Sequence, residues 1–288
     1  MRKLKTRSIR FDLLTRLAGL SPSLLCATLL LGVVPGFVVE ARAQGGPGGA
    51  APAAPVPGKD GAPIDLTGYW VSVISEDWRF RMVTPPKGDY QSVPLNAEAR
   101  KVADTWDPDT DEKSENRCKS YGVGMIMRVP GRLHVTWQDD NTLKIETDAG
   151  TQTRLLHFGS WTAPGGAPTW QGKSVAQWEL TGAARRTGGF QLAAGDTSGR
   201  APERTGNLKA VTTHMRAGYV RKNGIPYSED ALITEYYDWY RDNDETWFTV
   251  TTVVDDPKYF QQPFITSTNF KRQPDAAGWD PTPCSAKW

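Results

Sequence analysis

From Arg132 onward, apolar and polar residues alternate with a period of two, which is the pattern of strands that bury one face. Leu133, Val135 and Trp137 share one side and His134 and Thr136 the other; Asp139-Asp140-Asn141 turns the chain, and Leu143, Ile145 and Thr147 return it. Further strands are predicted over Thr151–Phe158, Thr169–Leu180, Leu208–Met215, Ala231–Tyr240, Thr246–Val254 and Pro263–Lys271, with an earlier one at Tyr69–Ile74. Asn223-Gly224 and Asp242-Asn243-Asp244 supply turn chemistry beside them. Residues 77–130 break the pattern. Pro85, Pro86, Gly88 and Pro94 mark a loop, and Asn96 is placed to cap a short helix, Ala97–Trp106, that Asp107-Pro108 stops. Residues 181–206, rich in Gly, Ala, Thr and Arg, read as a long loop. Seven to nine strands with almost no helix predict one all-β domain, a single antiparallel barrel of lipocalin-like kind, with a two-sheet β-sandwich as the alternative.

Upstream the pattern changes. A basic start (Arg2, Lys3, Lys5, Arg7, Arg10, Arg16) precedes an apolar run from Leu17 to Val39, and Ala41-Arg42-Ala43 follows. This is the layout of a signal peptide over residues 1–43, which places the remainder in the periplasm or outside the cell. The run reaches the roughly 20 residues a membrane span needs. Pro22 and Pro35 within it, and the small residues directly after it, favour cleavage, so no span remains once the signal is removed. Residues 44–63, mostly Gly, Pro and Ala, bury too little to offset ordering entropy and predict a flexible linker. The barrel domain is then 64–288.

Charge matters only after that division. Seven of the 34 Lys and Arg and two of the 32 Asp and Glu precede residue 44, which leaves 27 against 30 and a net charge of −3. Nucleic-acid binding needs a concentrated basic face, and none is apparent; Arg185-Arg186 reads as a solvated loop. Two cysteines remain, Cys118 and Cys284. In an exported chain they pair as a disulfide or stay as two thiols. A bridge would close a loop of about 166 residues, for which chain entropy gives ~5 kcal/mol.

The histidines are three: His134, His157 and His214. If the strands Leu208–Arg216 and Ala231–Tyr240 pair, His214, Arg216 and Glu235 meet inside the barrel with Tyr237. A histidine oriented by a carboxylate is what general acid–base work requires; the bland alternative is a hydrogen-bonded polar cluster. His134 and His157 show no metal-ligand spacing with His214, and Asp107, Asp109 and Asp111 fail the calcium-loop pattern at Glu112 and Cys118. No metal and no cofactor is therefore expected. Ser174 lies in Gly172-Lys173-Ser174-Val175, which is no nucleophile elbow. Eleven Trp, nine Tyr and nine Phe carry more information. Such residues fill cores or line pockets, and Trp137, Trp178, Tyr237 and Trp239 are the candidate ligand-binding set.

Thr169-Trp170-Gln171-Gly172-Lys173-Ser174 with Trp178-Glu179, Arg221 through Ser228, Thr234-Glu235-Tyr236, and Asp256-Pro257-Lys258-Tyr259 running to Pro263-Phe264 together resemble a family of secreted bacterial proteins with no established activity. The resemblance implies export and a lipocalin-like or otherwise β-rich domain, and brings no catalytic residues. Gly68-Tyr69-Trp70 resembles the opening of lipocalin-like barrels. Three functions remain in view. The first is an exported domain binding a small apolar or aromatic molecule in its barrel, with His214, Arg216 and Glu235 fixing polar groups. The second is a cofactor-free lyase, isomerase or hydrolase with His214 as base, Glu235 as its orienter and Arg216 as charge stabiliser. The third is a structural envelope protein.

Overall fold

The computed structural model describes residues 58–162, 165–181 and 205–287. The expected signal segment, most of the expected linker and most of the expected 181–206 loop lie outside those residues. In chain order the strands are β1 (Gly68–Val73), β2 (Arg132–Asp139), β3 (Thr142–Thr147), β4 (Ala149–Gly150), β5 (Thr153–Phe158), β6 (Lys173–Thr181), β7 (Thr205–Thr213), β8 (Gly218–Arg221), β9 (Ile225–Tyr227), β10 (Leu232–Asp242), β11 (Glu245–Asp255), β12 (Phe264–Gln273) and β13 (Thr282–Pro283). Nine of them close a barrel in the order β1-β12-β11-β10-β7-β6-β5-β3-β2. The expected barrel is thus formed, and the two-sheet sandwich is not.

Alternation sets the inside of the wall. Leu208, Ala210 and Thr212 on β7 pair with Tyr237, Glu235 and Ile233 on β10, and the buried side chains of β11 and β12 continue the inward row as Phe248, Val250, Thr252, Val254 and Phe264, Thr266, Thr268, Phe270. One junction departs from the antiparallel expectation: β5 runs parallel to β6, with Leu156 opposite Ser174 and Phe158 opposite Ala176. The cause is the connection between them. Residues 159–172 carry the chain from one end of the barrel back to the other, and β6 begins only at Lys173 because Gly172, with φ +63°, turns the backbone after Thr169.

The segment between β1 and β2 forms a cap over one barrel end. Asn96 caps α2 (Ala97–Asp104, after a one-turn α1 at Trp78–Arg81), its Oδ1 accepting from the Ala99 amide at 2.9 Å. Asp107 starts a further one-turn helix, α3 (Pro108–Glu112), by accepting from the Asp109 amide and the Thr110 hydroxyl. Two 3-10 helices, Glu115–Tyr121 and Ile126–Arg128, complete it with the β8–β9 hairpin, whose turn is the expected Asn223-Gly224. Apolar burial follows this division. One cluster fills the barrel, with Trp70, Leu143, Tyr237, Phe248 and Phe270 among its members. A second lies between cap and barrel rim, joining Val93, Ala99, Val220 and Tyr227 to Ile233, Val254 and Phe264.

Cys118 and Cys284 are bonded, tying the first 3-10 helix to the C-terminal tail, where β13 also pairs with β4. Residues 58–63, expected as the end of the linker, are docked at the uncapped end of the barrel. The Gly58 amide donates to Asn141 Oδ1 at 2.9 Å and the Lys59 amide to the Asp140 carbonyl at 2.9 Å. Among the described residues, no helix is long and apolar enough to cross a membrane.

Candidate functional site

Three zones follow one another along the barrel axis. In the middle, Arg154 on β5 reaches across the interior to Glu235 on β10. Its Nη1 donates to Oε1 at 2.9 Å and its Nη2 pairs with Oε2, and both side chains are wholly excluded from solvent. The Tyr237 hydroxyl lies 3.4 Å from Arg154 Nη1. Burial works against the charge on Arg154, but the facing Glu235 outweighs it and raises the guanidinium above its ordinary value. Burial raises the Tyr237 phenol, and the neighbouring Glu235 adds to the effect. Toward the cap the wall stays polar, with Ser174 and Thr212 hydroxyls 2.7 Å apart and Thr252, Thr266 and Thr268 buried.

At the uncapped end the wall turns aromatic. Trp137 on β2 packs against Phe158 on β5 with ring centroids 5.5 Å apart, and Phe158 stacks on Trp178 of β6 at 5.4 Å. The Trp178 indole nitrogen donates to the Gly58 carbonyl at 2.6 Å, which draws residues 58–61 over the rim. Gly58 lies so close to the Phe158 ring that any side chain there would collide with it. Between the strap and the wall is a cleft of about 350 Å³ lined by Gly61, Phe158, Ala176, Gln177, Trp178 and Leu180. Trp239, half-buried on β10 and packed on the barrel core, holds a buried indole N–H that has no acceptor among the described residues.

The third zone is the cap, where Trp106, Tyr219, Tyr227 and Tyr259 line a concavity of about 410 Å³ with Lys119 and Asp111. The Tyr219 hydroxyl donates to Asp111 Oδ2 at 2.8 Å; burial first, and this bond second, raise its pKa.

The histidine expectation meets a different geometry. β7 and β10 do pair, with Glu235 opposite Ala210, and Glu235 and Tyr237 do face inward. The strand, however, ends at Thr213. His214 adopts φ +54°, lies exposed on the surface, and places Nε2 2.8 Å from the Gly166 carbonyl oxygen. Arg216 bridges to Glu115 at 3.1 Å and covers the Trp170 ring at 4.0 Å. His214 and Arg216 are therefore not brought to Glu235, whose partner is Arg154. Parity along β5 carries that signal in the sequence, because Arg154 shares the face of the inward Leu156 and Phe158. His134 stacks on Tyr69 at 4.2 Å and His157 on Trp161 at 3.9 Å. Burial lowers the His157 pKa. Among the described residues no three His, Cys, Asp or Glu side chains gather as metal ligands. Of the ligand-binding set, Trp137, Trp178 and Trp239 are partly buried and pack on the barrel core, while Tyr237 lies deeper, at the ion pair. The chain matches no family model, no curated protein and no solved structure.

Proposed function

We propose that this is an exported binding domain that holds a small apolar or aromatic molecule at the aromatic end of its barrel. The observation that carries the reading is the row Trp137, Phe158, Trp178 beside a cleft of about 350 Å³. Flat aromatic walls supply contact area to a planar ligand, and a volume of several hundred cubic ångströms is the size range of small-molecule sites. The idle indole N–H of Trp239 offers one donor to a ligand oxygen. Below this layer the barrel is filled, so the ligand sits at the rim, under or in place of the strap at residues 58–61. Export draws support from the Cys118–Cys284 bond, since such bonds persist in oxidising compartments.

A thermal-shift screen of the purified protein against indoles, naphthols and aliphatic alcohols tests this. A ligand at about 100 times its dissociation constant adds about 2.7 kcal/mol and raises the melting temperature by several degrees. Trp178→Ala then weakens that ligand, and Trp239→Phe weakens only ligands that carry an acceptor. A flat response across the whole screen, or an affinity untouched by Trp178→Ala, rejects the reading.

A further inference from the structure

At the capped end, three arginines distant in sequence converge out of solvent: Arg81, Arg128 and Arg221 are each 3 % exposed or less. Arg81 donates from Nε to the Arg128 carbonyl at 3.0 Å and from Nη2 to the Ser72 hydroxyl at 2.7 Å, and it pairs through Nη1 with Glu76. Arg128 binds Asp77 Oδ2 through Nη2 at 3.1 Å. Arg221 donates from Nη1 to the Gln91 carbonyl at 2.8 Å and lies 3.9 Å above the Phe80 ring. Lys222 is buried beside them, and Arg79 pairs with Asp89 at the edge of the same group.

Two features of this cluster lack an internal explanation. Arg128 Nη1 and Arg221 Nε are buried N–H donors with no acceptor among the described residues. The charges also do not balance: Arg79, Arg81, Arg128 and Arg221 face Glu76, Asp77 and Asp89. A buried cation left without its counter-charge costs several kcal/mol, so proteins pair or ligate such groups. Burial, then the like charge of Arg128, lowers Arg221 to about 10; burial does the same to Arg81, with Glu76 opposing it. Guanidinium forks are matched to oxyanions, taking two oxygens at once.

We infer that Arg81, Arg128 and Arg221 form an oxyanion-binding site in the cap, built for the phosphate or carboxylate group of a ligand. Asp77 competes with such a ligand for Arg128. It is the half-exposed carboxylate on Arg128, and it holds a left-handed backbone (φ 50°) that asparagine also tolerates. This site lies at the end of the barrel opposite the aromatic cleft and stands whether or not that cleft binds anything.

The test is titration of the full protein with sodium phosphate and, separately, sodium acetate, against sodium chloride at matched ionic strength, followed by calorimetry and by the 31P line width. Saturable binding of one equivalent of phosphate or acetate is expected, and the tighter of the two names the oxyanion class. Arg128→Gln weakens it about tenfold or more, as loss of a charge-assisted contact does. Asp77→Asn, which keeps the backbone and removes the competing charge, tightens it several-fold. The surface variant Arg100→Gln changes nothing. If Arg128→Gln fails to fold, Asp77→Asn still decides. Phosphate and acetate behaving as chloride does, or an Asp77→Asn affinity no tighter than that of the unaltered protein, overturns the inference.

Discussion

Arg154 and Glu235 face each other across the barrel interior, three strand boundaries apart around the wall, through a two-point ion pair that no solvent reaches. Removing one partner strands the other charge. Arg154→Met and Glu235→Gln are each expected to cost about 3–5 kcal/mol in urea unfolding, and the double variant Arg154→Met/Glu235→Leu less than the sum of the two single losses. Additive losses would show that the two groups are held by other neighbours.

Buried phenols weaken the fold at alkaline pH, against an opposite contribution from the lowered Lys222, Arg81 and Arg221. Burial raises Tyr90 to about 12, helped by its hydrogen bond to Asp104, and it also raises Tyr219, Tyr227 and Tyr237. Unfolded tyrosine titrates near 10, so above that pH the unfolded chain holds fewer protons than the folded one. Stability from these groups is fully present below pH 10 and declines as pH rises beyond it, by about 1.4 kcal/mol per pH unit for each phenol involved. Urea midpoints at pH 9, 10 and 11, read alongside tyrosinate absorbance, measure this. These phenols, and Tyr121, which burial also raises, should ionise only with the unfolding transition.

The bond between Cys118 and Cys284 closes a span of 166 residues. Reduction, or Cys118→Ala with Cys284→Ala, is expected to lower stability by roughly 5 kcal/mol on the chain-entropy account. The measurement is the urea midpoint with and without reductant, and a shift confined to the unaltered protein identifies the bond as the cause.

Two glycines separate backbone strain from collision. Gly88 has φ +88° with open space around it, whereas at Gly172, with φ +63°, an added carbon lies 2.7 Å from the Thr213 carbonyl oxygen. Gly88→Ala should cost about 1–2 kcal/mol, the left-handed penalty alone. Gly172→Ala should cost more, because a backbone atom must also move. Equal melting temperatures for the two variants contradict this.

Alternation made the barrel legible, since Leu133, Val135 and Trp137 or Leu208, Ala210 and Thr212 need no partner to declare which side is buried. The Asn96 cap and the Asn223-Gly224 turn were equally local signals. What stayed hidden depends on distance along the chain. Nothing near Arg81 marks it as a neighbour of Arg128 or Arg221. Nothing in Gly172 announces that β6 will run parallel to β5. His214 follows the inward parity of its strand, and only the left-handed turn at that residue, set by the loop around Thr169, sends it outward.

The barrel closes where β1 meets β12, pairing Tyr69 with Gln273 and Val73 with Asn269. The first wall segment to be synthesised therefore waits for the last, and closing a loop of that length is entropically slow. Until the seam forms, β1 and β12 each present a row of unpaired amides and carbonyls, a template for another copy's strand. A chain cut before Phe264 lacks β12, leaves β1 and β11 open permanently, and is expected to self-associate.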